Sequence, residues 1–328
     1  MNGGLFKKIL FDLIEKTGKG KRMNARVGII GLGNIGGALA HSLLIHHPFE
    51  LCVYDINPSM AQGKTKDLIQ GAVVAGVDFP RIQVVSQVKD MVCCDVIVIT
   101  AGKPRQPGMD RKDLLRVNRS IVTPIAHDLK GTVAKIIVVT NPVDVVSLDV
   151  YHSLGAHDRR QVIGMSGALD SGRFRALIAQ HCAVSAQNID GYVIGPHNDD
   201  MIPVLSSLSM GGARLSLEEE VCEEIIHKTR TAGAEIVALL GQGSAFYAPA
   251  EAIRSMILSI VYDQKKSIPC SVKLEGEYGV DGLFCGVPVI LGQAGAESIL
   301  EYTLSSQEKK AWDQGVARLR AQLMEITQ

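Results

Sequence analysis

The chain has little that would tie it to a membrane, a metal or a nucleic acid. No apolar run approaches the roughly 18 residues needed to span a bilayer, so a membrane protein is not expected. Lys plus Arg and Asp plus Glu balance at 34 each, which removes the basic footprint of a nucleic-acid or membrane-surface binder. The seven cysteines (Cys52, Cys93, Cys94, Cys182, Cys222, Cys270, Cys285) are scattered, with no CxxC and no Cys/His metal spacing. That pattern predicts reduced thiols in a reducing, cytoplasmic compartment, and no metal site. Internal repeats and low-complexity tracts are absent. A secretory signal fails too: Asp12 and Glu15 interrupt the apolar stretch of the first 22 residues, and no small-residue cleavage site follows. Within that stretch Leu5, Ile9 and Leu13 recur at helical spacing, so residues 1–24 read as an extension holding a short amphipathic helix. Met23 directly precedes the first strand, so a start codon placed too far upstream is the plainest account of the extension, with an organelle-targeting segment, poorly matched by two acids and no Ser, as the alternative.

What is present is an ordinary enzyme composition, 46% apolar and 21% charged over 328 residues. That length exceeds the usual single core and predicts two domains or two lobes. Arg26 to Ile30 (RVGII) reads as a buried parallel strand. It leads into GLGNIGG, with Gly31, Gly33 and Gly36 in G-x-G-x-x-G spacing, then a helix with apolar Ala38, Leu39, Leu43 and Leu44. The first glycine makes the tight turn, the second lets a pyrophosphate approach the backbone, and the third packs helix on strand. Alone this motif is weak. Here ELCVYD forms a second strand ending in Asp55, 19 residues past Gly36. A carboxylate there bonds the ribose hydroxyls and repels a 2′-phosphate, which favours NAD over NADP.

Further strands are expected at 81–85, 95–101 and 135–141, and strand–helix alternation over about 140 residues argues for a doubly wound parallel sheet. Ligands on such sheets sit at the carboxyl ends of strands. Two segments fall there: TAGKPRQPGMDRKDLLRVN (100–118), a Pro/Gly-hinged loop with Arg105 and Arg111 six residues apart, and TNPVDV (140–145), where Asn141 ends a strand. Such a loop over a nucleotide site has the makings of a substrate lid; a solvated basic loop is the bland alternative. The second half reads as mixed α+β. Residues 217–257 are helix-patterned with a Gly/Ser interruption near 241–244, 271–291 alternate as antiparallel strands, and the last segment is an amphipathic helix opening on Ser.

The stretch 164–204 (GMSGALDSGRFRALIAQHCAVSAQNIDGYVIGPHNDDMIPV) adds an acid, a guanidinium and an imidazole. Asp170 lies three residues before Arg173, and His197 follows 24 residues later. A lone histidine is usually a surface or core residue, and Asp170 with Arg173 could be an i,i+3 surface pair. Beside a dinucleotide fingerprint, the three describe a site that binds a carboxylate and moves a proton and a hydride.

Together GLGNIG, Asp55, TAGKPRQPGMDR, TNPVDV, GALDSGRFR, the His197 segment ending MIPV, GSAFYAPA and EYGV…GVPVILG resemble the lactate/malate dehydrogenase family, closest to the malate dehydrogenases built on the lactate dehydrogenase plan. The likeness runs from about residue 26 to the C-terminus. It implies an α/β chain with an N-terminal Rossmann NAD-binding domain (25–167) and a C-terminal mixed α+β catalytic domain (168–328). Its activity would be the reversible conversion of (S)-malate and NAD to oxaloacetate and NADH. By that resemblance His197 is the general acid/base and Asp170 orients it. Arg173 binds the substrate's C1 carboxylate, Arg111 polarises the carbonyl, and Asn141 bonds the substrate oxygen. The cofactor contacts it implies are Gly31, Leu32, Gly33, Asn34, Ile35, Gly36, Asp55, Asn118, Val139 and Asn141.

Arg105 stands where the family's lactate dehydrogenases usually carry Gln and its malate dehydrogenases carry Arg. An arginine facing pyruvate's methyl group would be buried unpaired, at a cost of several kcal/mol; it suits a second carboxylate. The family usually has a glycine after the catalytic histidine. Here Asn198 stands there and Pro196 precedes His197, and asparagine is expected to keep the path because it tolerates positive φ. The resemblance further implies a homodimer or homotetramer, a small dicarboxylate as partner, and neither nucleic acid nor membrane. The alternatives beside it are a dehydrogenase of lactate or another 2-hydroxy acid, a catalytically silent NAD-binding homologue, and an NAD-using glycoside hydrolase.

Overall fold

A computed structural model describes residues 25–104, 111–241 and 243–327. The amphipathic helix expected before residue 25 lies outside the described residues, as does Arg105.

Six short parallel strands form the first half: β1 (Arg26–Ile30), β2 (Glu50–Tyr54), β3 (Ile82–Val84), β4 (Val96–Ile99), β5 (Lys135–Val138) and β6 (Val162–Gly164). They line up in the order 3-2-1-4-5-6, the arrangement of a dinucleotide-binding sheet. The residues of β1, β4, β5 and β6 are rich in Val and Ile and almost wholly buried, as strands covered on both faces must be, whereas β3 at the sheet edge is only partly covered. Helices α1 (Asn34–His46), α2 (Pro58–Val74), α3 (Arg111–Asp128) and α4 (Val143–Leu154) connect them. The short VIG strand β6 has no separate signal in the sequence. At three residues it is too brief to show a period.

Next come α5 (Gly167–Cys182) and a run of short strands: β7 (Ile189–Asp190), β8 (Val193–Ile194), β9 (Ile202–Pro203), β10 (Ser209–Met210) and β11 (Ala213–Arg214). Two helices follow, α6 (Glu219–Leu240) and α7 (Tyr247–Val261), parted at the Gly/Ser interruption as the sequence indicated. Long antiparallel strands β12 (Lys266–Glu275), β13 (Asp281–Gly292) and β14 (Gly295–Ile299) precede the final helix α8 (Ser306–Thr327). The serine that opens it is Ser305. Its Oγ accepts from Glu308 N at 3.3 Å, and its own N–H donates to Glu308 Oε2 at 2.7 Å, a reciprocal capping box.

The two halves share one sheet. β12 lies antiparallel against β6 through Ser271 and Gly164, giving nine strands in the order 14-13-12-6-5-4-1-2-3. Gly164 has to be glycine, because a Cβ there would stand 2.8 Å from both Ser147 Oγ and Ser271 Cβ. The main apolar core runs through both halves, and a smaller one gathers Phe174, Ile178, Ile189, Val193 and Ile225. Helix α5 touches both: Leu169 packs in the first and Phe174 in the second. Asp170 sits between those two anchors and is thereby carried into the interior, 1% exposed.

Candidate active site

At the end of β1 the chain turns through Gly31 at φ +98°, a value that suits only glycine. Gly36 is equally constrained by space, since a Cβ there would lie 2.0 Å from the Gly31 carbonyl oxygen. Gly33 differs. Nothing stands within 4 Å of its missing Cβ, and it heads α1 without a side-chain cap and with no acid in the first turn. Helix-terminal N–H groups therefore meet open space, the arrangement that receives a pyrophosphate. Leu32 is fully buried, Asn34 is exposed, and Ile35 packs against the core. Asp55 Oδ2 accepts from Leu32 N at 2.8 Å and Oδ1 from Asn57 N at 2.9 Å. The carboxylate is thus fixed at the strand end, with a lone pair left on each oxygen for ribose hydroxyls. Beside the loop a cavity of about 480 Å³ opens, lined by Asn34, Gly37, Lys64, Tyr247 and Ala250 among others. These residues fit an NAD pyrophosphate and adenosine ribose.

Strand β5 ends at Val138, shorter than the 135–141 expected; Val139 is buried and bonded to Ile99, and Asn141 lies exposed three residues past the strand. Asn118 is 1% exposed. Its Nδ2 donates to Asn141 O at 2.7 Å and Lys103 O at 3.2 Å, and its Oδ1 accepts from Lys103 N at 2.8 Å. Its amide therefore ties the loop after β4 to the end of β5. Arg111 opens α3, and its side chain lies outside the described residues.

The structure brings His197, Asp170 and Arg173 together. His197 Nδ1 meets Asp170 Oδ2 at 2.7 Å, and Arg173 Nη1 lies 3.3 Å from Asp170 Oδ1. A carboxylate at Nδ1 fixes the proton there, so Nε2 is the nitrogen left to exchange a proton with a ligand. Burial disfavours the imidazolium. The charge and hydrogen bond of Asp170, with Asp144 adding and Arg173 opposing, outweigh that, and the His197 pKa moves upward from its ordinary value. Gly233 of α6 lies beside the guanidinium, where a Cβ would sit in ordinary contact, 3.7 Å from Arg173 Nη1. On the other side a Cβ at Gly172 would meet nothing within 4 Å, so this glycine is unconstrained.

Around His197 the backbone departs from expectation. Asn198 does not take a positive φ; among the described residues the left-handed turn sits at Gly195, φ +92°. Asn198 Oδ1 instead accepts from Asp200 N at 2.7 Å, a local Asx turn that holds the loop without a glycine. Gly195 exchanges backbone hydrogen bonds with Gly286 of β13, and Pro196 packs where Gly315 of α8 lacks a side chain.

Two residues near His197 lie inside motifs of the sequence that give them no role of their own. Asp144, in the first turn of α4, accepts from His197 N at 2.8 Å and from Ser271 Oγ at 2.6 Å. An acid in a first turn reads only as a partner for the helix dipole. The partners that give it a role lie 53 and 127 residues away. The other is Ser171; its Oγ accepts from Val193 N at 2.8 Å and anchors the strand leading to His197.

An uncapped glycine loop with a strand-end acid suits a dinucleotide, and an imidazole–carboxylate pair beside a guanidinium suits an acid substrate. Comparison with known proteins agrees. Residues 25–164 match the model of the lactate/malate dehydrogenase NAD binding domain, and residues 167–328 that of the lactate/malate dehydrogenase alpha/beta C-terminal domain. A malate dehydrogenase of Rhodopirellula baltica is 40% identical over 303 residues, 90% of this chain and 96% of the relative. One from a Caulobacter species is 37% identical over 92% of this chain and 96% of its own. Among solved structures, Cryptosporidium parvum malate dehydrogenase superposes with a TM-score of 0.88 at 35% identity, covering 93% of this chain and 99% of that one. The lactate dehydrogenase of the same organism, complexed with lactic acid and nicotinamide adenine dinucleotide, also gives 0.88, at 34% identity over 92% and 98%. With both halves of the chain and the whole of its sheet accounted for, this protein belongs to the lactate/malate dehydrogenase family.

Proposed function

We propose that the protein is an NAD-dependent malate dehydrogenase, converting (S)-malate and NAD reversibly to oxaloacetate and NADH. The observation that carries this reading is the buried Asp170–His197 pair with Arg173 against the same carboxylate. In malate oxidation His197 Nε2 takes the C2 hydroxyl proton while Asp170 stabilises the imidazolium that forms. In oxaloacetate reduction the same nitrogen returns it, and the upward-shifted pKa keeps the imidazolium populated for that task. NAD, when bound, supplies the hydride acceptor. Residues 31–36 would hold its pyrophosphate and Asp55 its ribose. Arg173 would receive the C1 carboxylate as a planar fork. Asn141, just past β5, would bond the substrate oxygen, and Arg111 would polarise the carbonyl. Asn118 and Val139 complete the cofactor side.

The choice of malate over lactate rests on Arg105, an arginine suited to a second carboxylate, and is supported by the two relatives, both malate dehydrogenases. The fold itself does not separate the two, since solved structures of both kinds match equally well. The working protein is read as a homodimer or homotetramer in the cytoplasm; all seven cysteines are unpaired. No described helix is long and apolar enough to cross a membrane.

The test is NADH oxidation at 340 nm with oxaloacetate and pyruvate in parallel. The expected result is a preference for oxaloacetate of about 100-fold or more in kcat/KM, reversed or abolished in Arg105→Gln. Equal use of both substrates, or equal losses on both in the variant, would sink the assignment. NADH binding without turnover would mean the cofactor site has outlived its chemistry.

A further inference from the structure

The proton-exchanging imidazole faces two buried carboxylates rather than one. Asp170 engages the ring. Asp144, 6% exposed, engages the main chain of the same residue through His197 N at 2.8 Å. Its other oxygen accepts from Ser271 Oγ at 2.6 Å. A backbone N–H can only donate, so Oδ2 is fixed as an acceptor whatever the state of the acid. Three elements thus converge on one side chain: α4 supplies the acid, β12 the hydroxyl and the β8–β9 loop the amide.

We infer that Asp144 is a positioning residue that works as an anion, holding the His197 main chain in place and helping to keep its ring protonated. This rests on the reading of His197 as the acid/base of a dehydrogenase. Charge balance in the cluster is the argument. With His197 protonated, Asp144 and Asp170 offset Arg173 and the imidazolium, and the four groups sum to zero. With His197 neutral the cluster carries one net negative charge. Remove the Asp144 charge and the protonated state becomes the one with an uncompensated charge, which a low-dielectric site disfavours. Burial first, with the Asp170 charge adding, raises the Asp144 carboxyl above its ordinary value, and the hydrogen bonds from Ser271 and from His197 N–H, with the imidazolium charge, oppose that rise without cancelling it. The two acceptor bonds are what permit an anion there.

Among the described residues, the other charged and titratable groups near His197 each have a partner or a cause that fixes their state. Arg173 and Asp170 come from α5. Asp200 of the same loop is paired with Arg318 of α8, and its neighbour Asp199 is also engaged. Arg230 of α6 donates to Met201 O. Cys285 of β13 is a buried thiol held neutral, by burial first and by the Asp144 charge second.

The test is Asp144→Asn, which keeps the shape. Its amide oxygen can still accept from His197 N, and its NH2 can donate to Ser271 Oγ, so the charge alone is lost. The readout is the His197 Cε1–H signal in an NMR pH titration of the cofactor-free protein, assigned from its disappearance in His197→Gln. A fall in the His197 pKa on the order of one pH unit is expected. It should be matched by loss of oxaloacetate reduction above neutral pH, about tenfold for a fall of that size, and recovery at lower pH. Ser271→Ala should move the same signal in the same direction by less, since Asp144 loses the donor that favours its charge, and it serves if Asp144→Asn does not fold. An unmoved His197 pKa in either folded variant overturns the inference, whatever happens to kcat, because a merely structural Asp144 would lower turnover evenly across pH. The titration needs no substrate, so failure of the malate assignment would show separately, in the substrate panel.

Discussion

Around residues 31–36 the chain makes a binding surface by leaving side chains out, whereas around His197 it makes one by burying charged groups and satisfying each of them. The glycine loop presents bare backbone: Gly33 faces open space and Gly36 lies against a carbonyl oxygen. The acid–base cluster is the reverse. Asp144, Asp170 and His197 are held by hydrogen bonds of 2.6–2.8 Å from residues far apart in the chain. The first surface depends on steric room within six residues. The second depends on long-range electrostatics, where a missing partner leaves an uncompensated charge. Substitutions in the two regions should therefore fail in different ways.

The largest effect is expected at Asp170→Asn. Loss of the carboxylate lets the imidazole take the wrong tautomer and removes the main influence holding its pKa up, so kcat should fall on the order of 10³–10⁴-fold. NADH affinity, measured by fluorescence titration, should stay within about twofold of the parent. A comparable loss of NADH binding would show that the two regions are not separable. Gly36→Ala comes next. A Cβ 2.0 Å from backbone must displace α1 from β1, costing about 3 kcal/mol or more by chemical denaturation, with NADH binding lost alongside. Smallest is Gly33→Ala. Its φ of −67° suits alanine and its Cβ meets no protein atom, so cofactor-free stability should not change. The methyl group enters the space a pyrophosphate needs, and NADH should bind about tenfold more weakly, roughly 1.4 kcal/mol. If Gly33→Ala instead destabilised the protein and spared NADH, the loop would not be the cofactor's seat.

The same contrast explains what is legible in the sequence. The glycine loop and its Asp55 are legible because every constraint lies within a strand, a turn and the next strand. Five strands of the first half are legible from their β-branched runs, and the break between α6 and α7 from Gly241 and Ser244. Asp170, Arg173 and His197 are legible as residue types in company and through a family likeness; nothing local reveals that Asp170 Oδ2 meets His197 Nδ1. Asp144 is not legible as a site residue. Its motif is conspicuous, but its hydroxyl partner stands on β12, on the far side of a sheet joint no periodicity announces. The expectation at Asn198 fails for a related reason. A glycine usual at that place suggests left-handed backbone, yet the turn is met just upstream, at Gly195.

The joint between β6 and β12 carries a consequence for how the chain can be divided. Ser271 pairs with Gly164 across it and also donates to Asp144, so one residue closes the sheet and braces the loop that carries His197. A fragment ending near Gly164 would bare β6 as an open edge of unpaired N–H and C=O groups, flat, apolar and ready to pair with its own kind. The cofactor half, made alone, should therefore aggregate rather than circulate as a small binding module. Held in the whole chain, that edge is stitched shut by the strand that carries Ser271.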